Sequence, residues 1–188
     1  MSAKPQLPRG WTWPDLRDYL PELAGLDPQS AHGAVLRPQV TLSSTATSDT
    51  DSVDVSSEFD FVAFRVVGLF GYNDLPSEPV TVGGHNHNAY ERSFVKTQNV
   101  TVDLDCPNTR LKLVEEPLIL AQIMPGYGVP IEFAVPHVLP RGAALKAAFA
   151  LRDTTGANMV GAASTFGVRG EGVYVRTRPV AKDQREEG

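Results

Sequence analysis

Two histidines and one glutamate near the middle of the chain have the residue types and the spacing of a metal site. His85 and His87 are one residue apart, and Glu91 follows His87 by four positions. On a β-strand, side chains two positions apart share a face, so both imidazoles could approach one ion that the carboxylate also reaches. Gly83, Gly84 and two asparagines surround these residues, and such residue types favour turns. We therefore expect a polar loop with no metal or other cofactor, and His85, His87 and Glu91 remain candidate ligands only.

The same spacing resembles the first motif of the cupin family, in which His-x-His is followed three or four residues later by Glu within a jelly roll. The chain departs from that motif at both glycine positions, where it has Pro79 and Gln98. The second cupin motif could begin only at Pro140, and Leu145 then occupies the position of its histidine. A cupin-like metal-binding enzyme is therefore the third of three functional alternatives.

Other residues that could do chemistry lack the surroundings that their reactions require. Ser164 lies between Gly161 and Gly167, which differs from the Gly-x-Ser-x-Gly spacing of a nucleophile elbow. Cys106 is the only cysteine, so it cannot form an internal disulfide, and we expect a small core residue or a neighbour of a turn. Asp49, Asp51 and Asp54 could suggest a calcium site. An EF-hand loop, however, requires an acidic or amide side chain at its fifth position, which Val53 occupies. We expect no enzymatic activity.

Charge and hydropathy disfavour two further classes of partner. The net charge of −5 and the lack of any run of Lys and Arg give no electrostatic reason to bind nucleic acid or an anionic membrane surface. The longest apolar run, residues 118–121, is far shorter than the roughly 20 residues that span a bilayer. The first residues lack the apolar stretch of a signal peptide. We expect no nucleic acid or membrane partner, and synthesis and assembly in a cytoplasm.

Three large aromatic residues lie in the N-terminal segment, outside any strand pattern: Trp11, Trp13 and Tyr19. Thr12 can cap a short helix here, with a proline and an acid in its first turn, and Pro21 should end it. The aromatics could hold the segment on its own domain. Because Trp and Tyr dominate interface hot spots, we instead predict that Trp11, Trp13 and Tyr19 bind a neighbouring subunit and add little to the domain's own fold.

The rest of the chain has the pattern of a mainly β protein. Apolar residues alternate in several short segments, most regularly over residues 145–151, and turn signals recur every 10 to 15 residues. This spacing predicts a single antiparallel β-sandwich or jelly-roll-like domain with an N-terminal arm and one short helix. The predicted divisions are an arm and helix over 1–25, a polar linker or edge segment over 26–57, the sandwich over 58–179 and a charged tail over 180–188.

With this pattern, the chain resembles small virion structural proteins of tailed bacteriophages, which combine a short N-terminal arm and helix with a β-sandwich. The resemblance covers roughly residues 58–178. Three features carry it: a spaced motif, an alternating strand and a glycine-rich hairpin that ends at residues 172–176. The residues of the motif are Phe133, Pro136, Leu139, Pro140, Arg141, Gly142 and Leu145.

The resemblance implies a non-enzymatic structural subunit of a phage particle, such as a capsid decoration protein, a minor capsid protein or a neck or tail accessory protein. Its partners would be other virion proteins, with the chain present as a homo-oligomer or in many copies, and its location would be the virion. The main alternative is a carbohydrate- or receptor-binding sandwich at a tail tip, in which aromatics in predicted loops stack on sugar rings: Tyr72, Tyr90 and Tyr127.

Overall fold

The chain folds mainly into antiparallel β-strands, as the sequence predicts. A computed structural model describes residues 11–19, 26–43, 45–70, 80–82, 85–87, 96–107, 111–126, 128–153 and 164–177. Its elements are α1 (Trp13–Tyr19), β1 (Leu26–Leu36), β2 (Gln39–Leu42), β3 (Ser48–Asp54), β4 (Asp60–Phe70), β5 (Val80–Val82), β6 (His85–His87), β7 (Val100–Cys106), β8 (Leu111–Lys112), β9 (Leu118–Ile119), a 3-10 turn (Leu120–Ile123), β10 (Ile131–Leu139), β11 (Ala144–Leu151) and β12 (Ser164–Thr177).

The strands form two five-stranded sheets and a separate hairpin of β5 and β6. Sheet A has the order β1-β12-β4-β10, with β2 also paired to β12; sheet B has the order β3-β11-β7-β8, with β9 also paired to β7. Because β1 and β2 share one side of β12, and β8 and β9 share one side of β7, each sheet is four strand positions wide.

This order is that of a jelly roll. The first strand, β1, pairs with the last strand, β12. Inside that pair, β3 pairs with β11, β4 pairs with β10, and β7 pairs with β8 and β9. Such nested pairing is a long hairpin that has been rolled into two sheets. The expected sandwich or jelly-roll-like fold is therefore confirmed.

The core lies between the inner faces of the two sheets. Alternate residues of β7 and β11 are buried, and the largest side chains that are fully buried include Phe61, Phe149 and Phe166. Cys106 at the end of β7 is also fully buried, as expected for a small core residue. A strand's side chains alternate between its faces, so these strands turn their polar residues outward.

The predicted turn before β11 is present at Arg141 and Gly142. Gly142 has φ of +73°, a left-handed conformation that favours glycine. Ala143 N donates to Pro140 O at 3.0 Å, and Arg141 N donates to Asp60 Oδ1 at 2.9 Å. The turn therefore fixes the start of β11 against the start of β4.

Residues 26–57, expected as a polar linker or an edge segment, supply β1, β2 and β3. Both sheets therefore include strands from the N-terminal side of residue 58, and a linker is not what this segment forms. Hydrogen bonds to β11 and β12 hold these strands, which need few apolar residues because they lie at sheet edges. Within the residues described, no helix has the length and apolar character needed to cross a membrane.

Candidate interaction surface

Helix α1 begins with a reciprocal cap. Asp15 N donates to Thr12 Oγ1 at 3.3 Å, and Thr12 N donates to Asp15 Oδ2 at 2.9 Å. This is the arrangement of a capping box, with Asp in the place of the usual Glu. The negative carboxylate also lies in the first turn, where the helix dipole favours it. The sequence therefore starts the helix at the residue after Thr12.

The helix lies on the outer face of sheet A, on the side away from the core. Leu16 is fully buried there in a second apolar cluster, with Trp11 and Trp13 partly buried against it. The sheet contributes side chains from β4 and β12: Val62, Phe64, Val173 and Val175. Leu16 anchors the helix, while each indole keeps part of its surface accessible to solvent.

This packing corrects one expectation and leaves another untested. Trp11, Trp13 and Leu16 contact the chain's own sheet, so the prediction that the arm adds little to the domain's own fold is wrong for these residues. Tyr19 is the last described residue of α1, and its side chain lies outside the description. Binding of a neighbouring subunit by Trp11, Trp13 and Tyr19 stays a prediction.

A row of three charged residues and one valine crosses the same face of sheet A beside the helix. Cross-strand pairing aligns Val35, Glu171, Arg65 and Glu132 on four adjacent strands. Arg65 Nε donates to Glu171 Oε2 at 2.7 Å, and the Nη2 atoms of Arg65 and Arg169 also contact the Glu171 carboxylate. One carboxylate thus faces two guanidinium groups, and Val35 is 48% exposed at the end of the row.

Trp11, Trp13, Val35, Arg65 and Arg169 together define what we call the sheet A surface. Trp and Arg are the residue types most enriched at energetically important interface positions. Sequence reasoning found the tryptophans but missed the arginines. Arg65 follows an apolar run, and Arg169 and Glu171 lie among glycines, so only the pairing of β4 with β12 brings them together.

The candidate metal ligands are placed only in part. His85 and His87 lie on β6, opposite Val82 and Val80 of β5, so the expectation of a polar loop is wrong at 85–87. Glu91 lies outside the described residues. In the part of the chain that the structure describes, no three His, Cys, Asp or Glu residues are grouped so that they could hold a metal ion.

The other candidates for chemistry occupy structural positions. Ser164 is fully buried at the start of β12, where its Oγ accepts a hydrogen bond of 2.9 Å from Lys96 Nζ. Asp51 Oδ2 accepts a hydrogen bond of 2.8 Å from Gln39 N, which joins β3 to β2 rather than forming a calcium loop.

A shallow trough of about 390 Å³ lies on sheet B, opposite the sheet A surface. Apolar atoms form most of its lining, and hydroxyl and carboxylate side chains contribute the rest: Ser48, Thr50, Thr101 and Asp103. The aromatics proposed to stack on sugars, Tyr72, Tyr90 and Tyr127, lie outside the described residues.

No protein-family model matches the chain, and no curated protein matches it. Among solved structures, the chain is similar to the NLP core of Drosophila, whose crystal structure is reported to provide insight into pentamer formation and histone binding. The match has 14% identity and a TM-score of 0.27, and it covers 77% of this chain and 100% of that chain. A likeness at this level carries no argument about the function of this chain.

Proposed function

We propose that the protein is a non-enzymatic structural subunit of a tailed-bacteriophage particle, and that it binds neighbouring capsid, neck or tail subunits through the sheet A surface. One observation carries the binding role: Trp11 and Trp13 lie partly buried on a sheet face beside the fully buried Leu16, and each keeps part of its surface accessible. A rigid aromatic pair loses little conformational entropy on binding, so it is suited to anchor a partner.

The particle itself is proposed from the sequence resemblance over residues 58–178. Its spaced motif lies on β10, on the turn at Arg141 and Gly142, and on β11. Jelly rolls also occur in viral capsid proteins, lectins and cupins, so the fold is compatible with this role and does not select it. Many copies on a particle would convert weak individual contacts into firm attachment.

Mass spectrometry of purified virions tests the first half of this proposal. We expect the chain at a stoichiometry of several copies per particle. Its absence from virions of a phage that encodes it would contradict the structural role.

Substitution of the two tryptophans tests the second half. Trp11→Ala with Trp13→Ala should lower incorporation at least tenfold relative to the wild-type chain. Leu16→Val is the matched control, because it weakens the packing beneath the helix without changing the exposed surface. If the control variant loses incorporation to the same extent as the tryptophan variant, the defect lies in folding and the binding role fails.

The trough on sheet B favours a second function, binding of carbohydrate at a tail tip. Hydroxyl and carboxylate groups such as Thr50, Thr101 and Asp103 can exchange hydrogen bonds with sugar hydroxyls. A glycan array with wild-type chain and a Thr50→Val, Thr101→Val variant tests it. Binding that survives in the variant, or no binding by the wild-type chain, would contradict this function.

A further inference from the structure

We propose that the sheet A surface binds a second copy of this chain, with Arg65 and Arg169 receiving the carboxylates of Asp49 and Asp51 from strand β3 of that copy. This inference rests on the proposed function and deepens it, because it names one of the neighbouring subunits and the groups that recognise it.

The basic half of the contact has unused hydrogen-bond donors. Each guanidinium carries five N–H groups, and the described contacts of Arg65 and Arg169 use only those that face Glu171. Their side chains are 39% and 30% exposed. Glu132 lies in register with Arg65 on the other side, but among the described residues it forms no ion pair with that arginine. The exposed Nη groups of the arginines can therefore donate to a further carboxylate.

The acidic half is an exposed edge strand. β3 forms its ladder with β11 on one side only, and it carries three aspartates and no basic residue. The cation nearest in register is Lys146, which is paired with Ser52. Acidic residues on an edge oppose the addition of another strand, so a contact through side chains suits this edge better than a continuous sheet.

The spacing of the two halves matches. Asp49 and Asp51 are alternate residues of one strand and lie about 6.8 Å apart. They share the inner side of β3, because they are paired with the core residues Phe149 and Ala147, and at the open rim between the two sheets Asp49 is exposed and Asp51 is partly exposed. Arg65 and Arg169 lie on neighbouring strands with an offset of two residues, which places them about 7–8 Å apart. Asp51 Oδ2 accepts a hydrogen bond from Gln39 N, and Asp49 Oδ1 accepts one from Thr50 N. Among the described residues, the second oxygen of each carboxylate accepts no hydrogen bond. Asp54 has the opposite parity on β3, so it does not share this face.

The two halves lie on different surfaces of the chain, so the contact is heterologous. Each copy then presents one basic face and one acidic edge, and repetition of the contact produces a ring or an open chain. Opposite charges at this separation also attract less strongly at high ionic strength.

Sedimentation velocity of the full chain over a range of concentrations tests the inference. The wild-type chain should associate, and association should weaken as salt is added. Arg65→Gln with Arg169→Gln should weaken it at least tenfold, and so should Asp49→Asn with Asp51→Asn. Arg152→Gln and Asp54→Asn are the matched controls and should have no effect.

A mixture of the two double variants gives the decisive result. One variant retains only the acidic edge and the other only the basic face, so together they should form a 1:1 dimer that grows no further. A monomeric wild-type chain at all concentrations, or a mixture that stays monomeric, would overturn the inference. Thermal melting checks that each variant is folded, and the aspartate variant decides alone if the arginine variant fails this check.

These outcomes are separable from those of the proposed function. A chain that is monomeric in solution but present in virions contradicts the contact between the basic face and the acidic edge, and leaves the structural role intact. A chain that associates through Arg65 and Asp49 but is absent from virions supports the contact between copies and contradicts the structural role.

Discussion

Phe149 points into the space between the sheets from the middle of β11 and is 1% exposed. Its replacement by alanine removes a large buried side chain and leaves a cavity, so Phe149→Ala should cost about 3 to 5 kcal/mol of unfolding free energy. Denaturant unfolding measures this change. Lys146→Ala, on the outward face of the same strand, should stay within about 0.5 kcal/mol. A loss below about 1 kcal/mol for Phe149→Ala would place the side chain outside the core.

His137 makes the stability of the folded chain depend on pH. Burial lowers the pKa of His137 below its ordinary value, and its ring lies edge-on to Phe133, with 4.4 Å between the centroids. The unfolded chain therefore binds this proton more readily than the folded chain does. The stability that depends on the neutral ring is present above about pH 6.5 and is lost as the pH falls below that value.

The urea midpoint at pH 7.5 and at pH 5.5 measures this dependence. His137→Gln should reduce the difference between the two midpoints, because the variant cannot take up a proton at that position. An equal difference in the wild-type chain and in the variant would show that other groups cause the pH dependence.

Glycine at position 172 is required by a close approach between strands. At the register shift between Glu171 and Gly172, a Cβ on Gly172 would lie 2.2 Å from Val62 O and 2.6 Å from Phe61 Cζ. The carbonyl oxygen belongs to the backbone and cannot move aside without breaking the ladder. Gly172→Ala should therefore cost about 3 kcal/mol or more in unfolding free energy.

Gly33 on β1 offers the matched control, because a Cβ there would meet nothing within 4 Å. Gly33→Ala should leave stability unchanged or raise it by about 0.5 kcal/mol through the unfolded chain. Similar losses in the two variants, measured by urea unfolding, would mean that a general strand preference explains the effect rather than the contact with Val62.

At the scale of elements, the strands that could be predicted from the sequence are those with one face buried against the opposite sheet. Alternation in β7 and β11 follows directly from burial against the opposite sheet, and Pro38 lies between the end of β1 and the start of β2. β3 has almost no apolar residues, so nothing local distinguished it from a loop. Its pairing with β11 is what makes it a strand, and pairing between distant segments cannot be deduced from local periodicity.

The site was predictable to the same extent as the elements. Trp11 and Trp13 could be singled out because large aromatics outside a strand pattern are unusual. Their contact with Val173 and Val175 depends on the position of β12 beside β4, which only the complete fold determines. For this reason, local reasoning did not predict that the aromatic segment packs on the chain's own sheet.

The topology of the whole molecule couples its two ends. β1 pairs with β12, and sheet B joins β3 to the late strand β11, so neither sheet can form from one half of the chain. Contacts of such large sequence separation slow folding, and they favour unfolding in one cooperative step. A thiol buried in the middle strands should therefore become accessible only when the whole domain opens.

Cys106 provides that thiol, because it is the only cysteine and is fully buried on β7. Its reaction with an aromatic disulfide reagent in native buffer should be at least about a thousandfold slower than that of an exposed thiol, given a stability of about 5 kcal/mol or more. The labelling rate should rise with urea along the same slope as global unfolding. Ser52→Cys in a Cys106→Ala background supplies the exposed reference. Labelling of Cys106 that is slow but independent of urea would reveal local opening of β7 and β8, and would contradict a single cooperative unit.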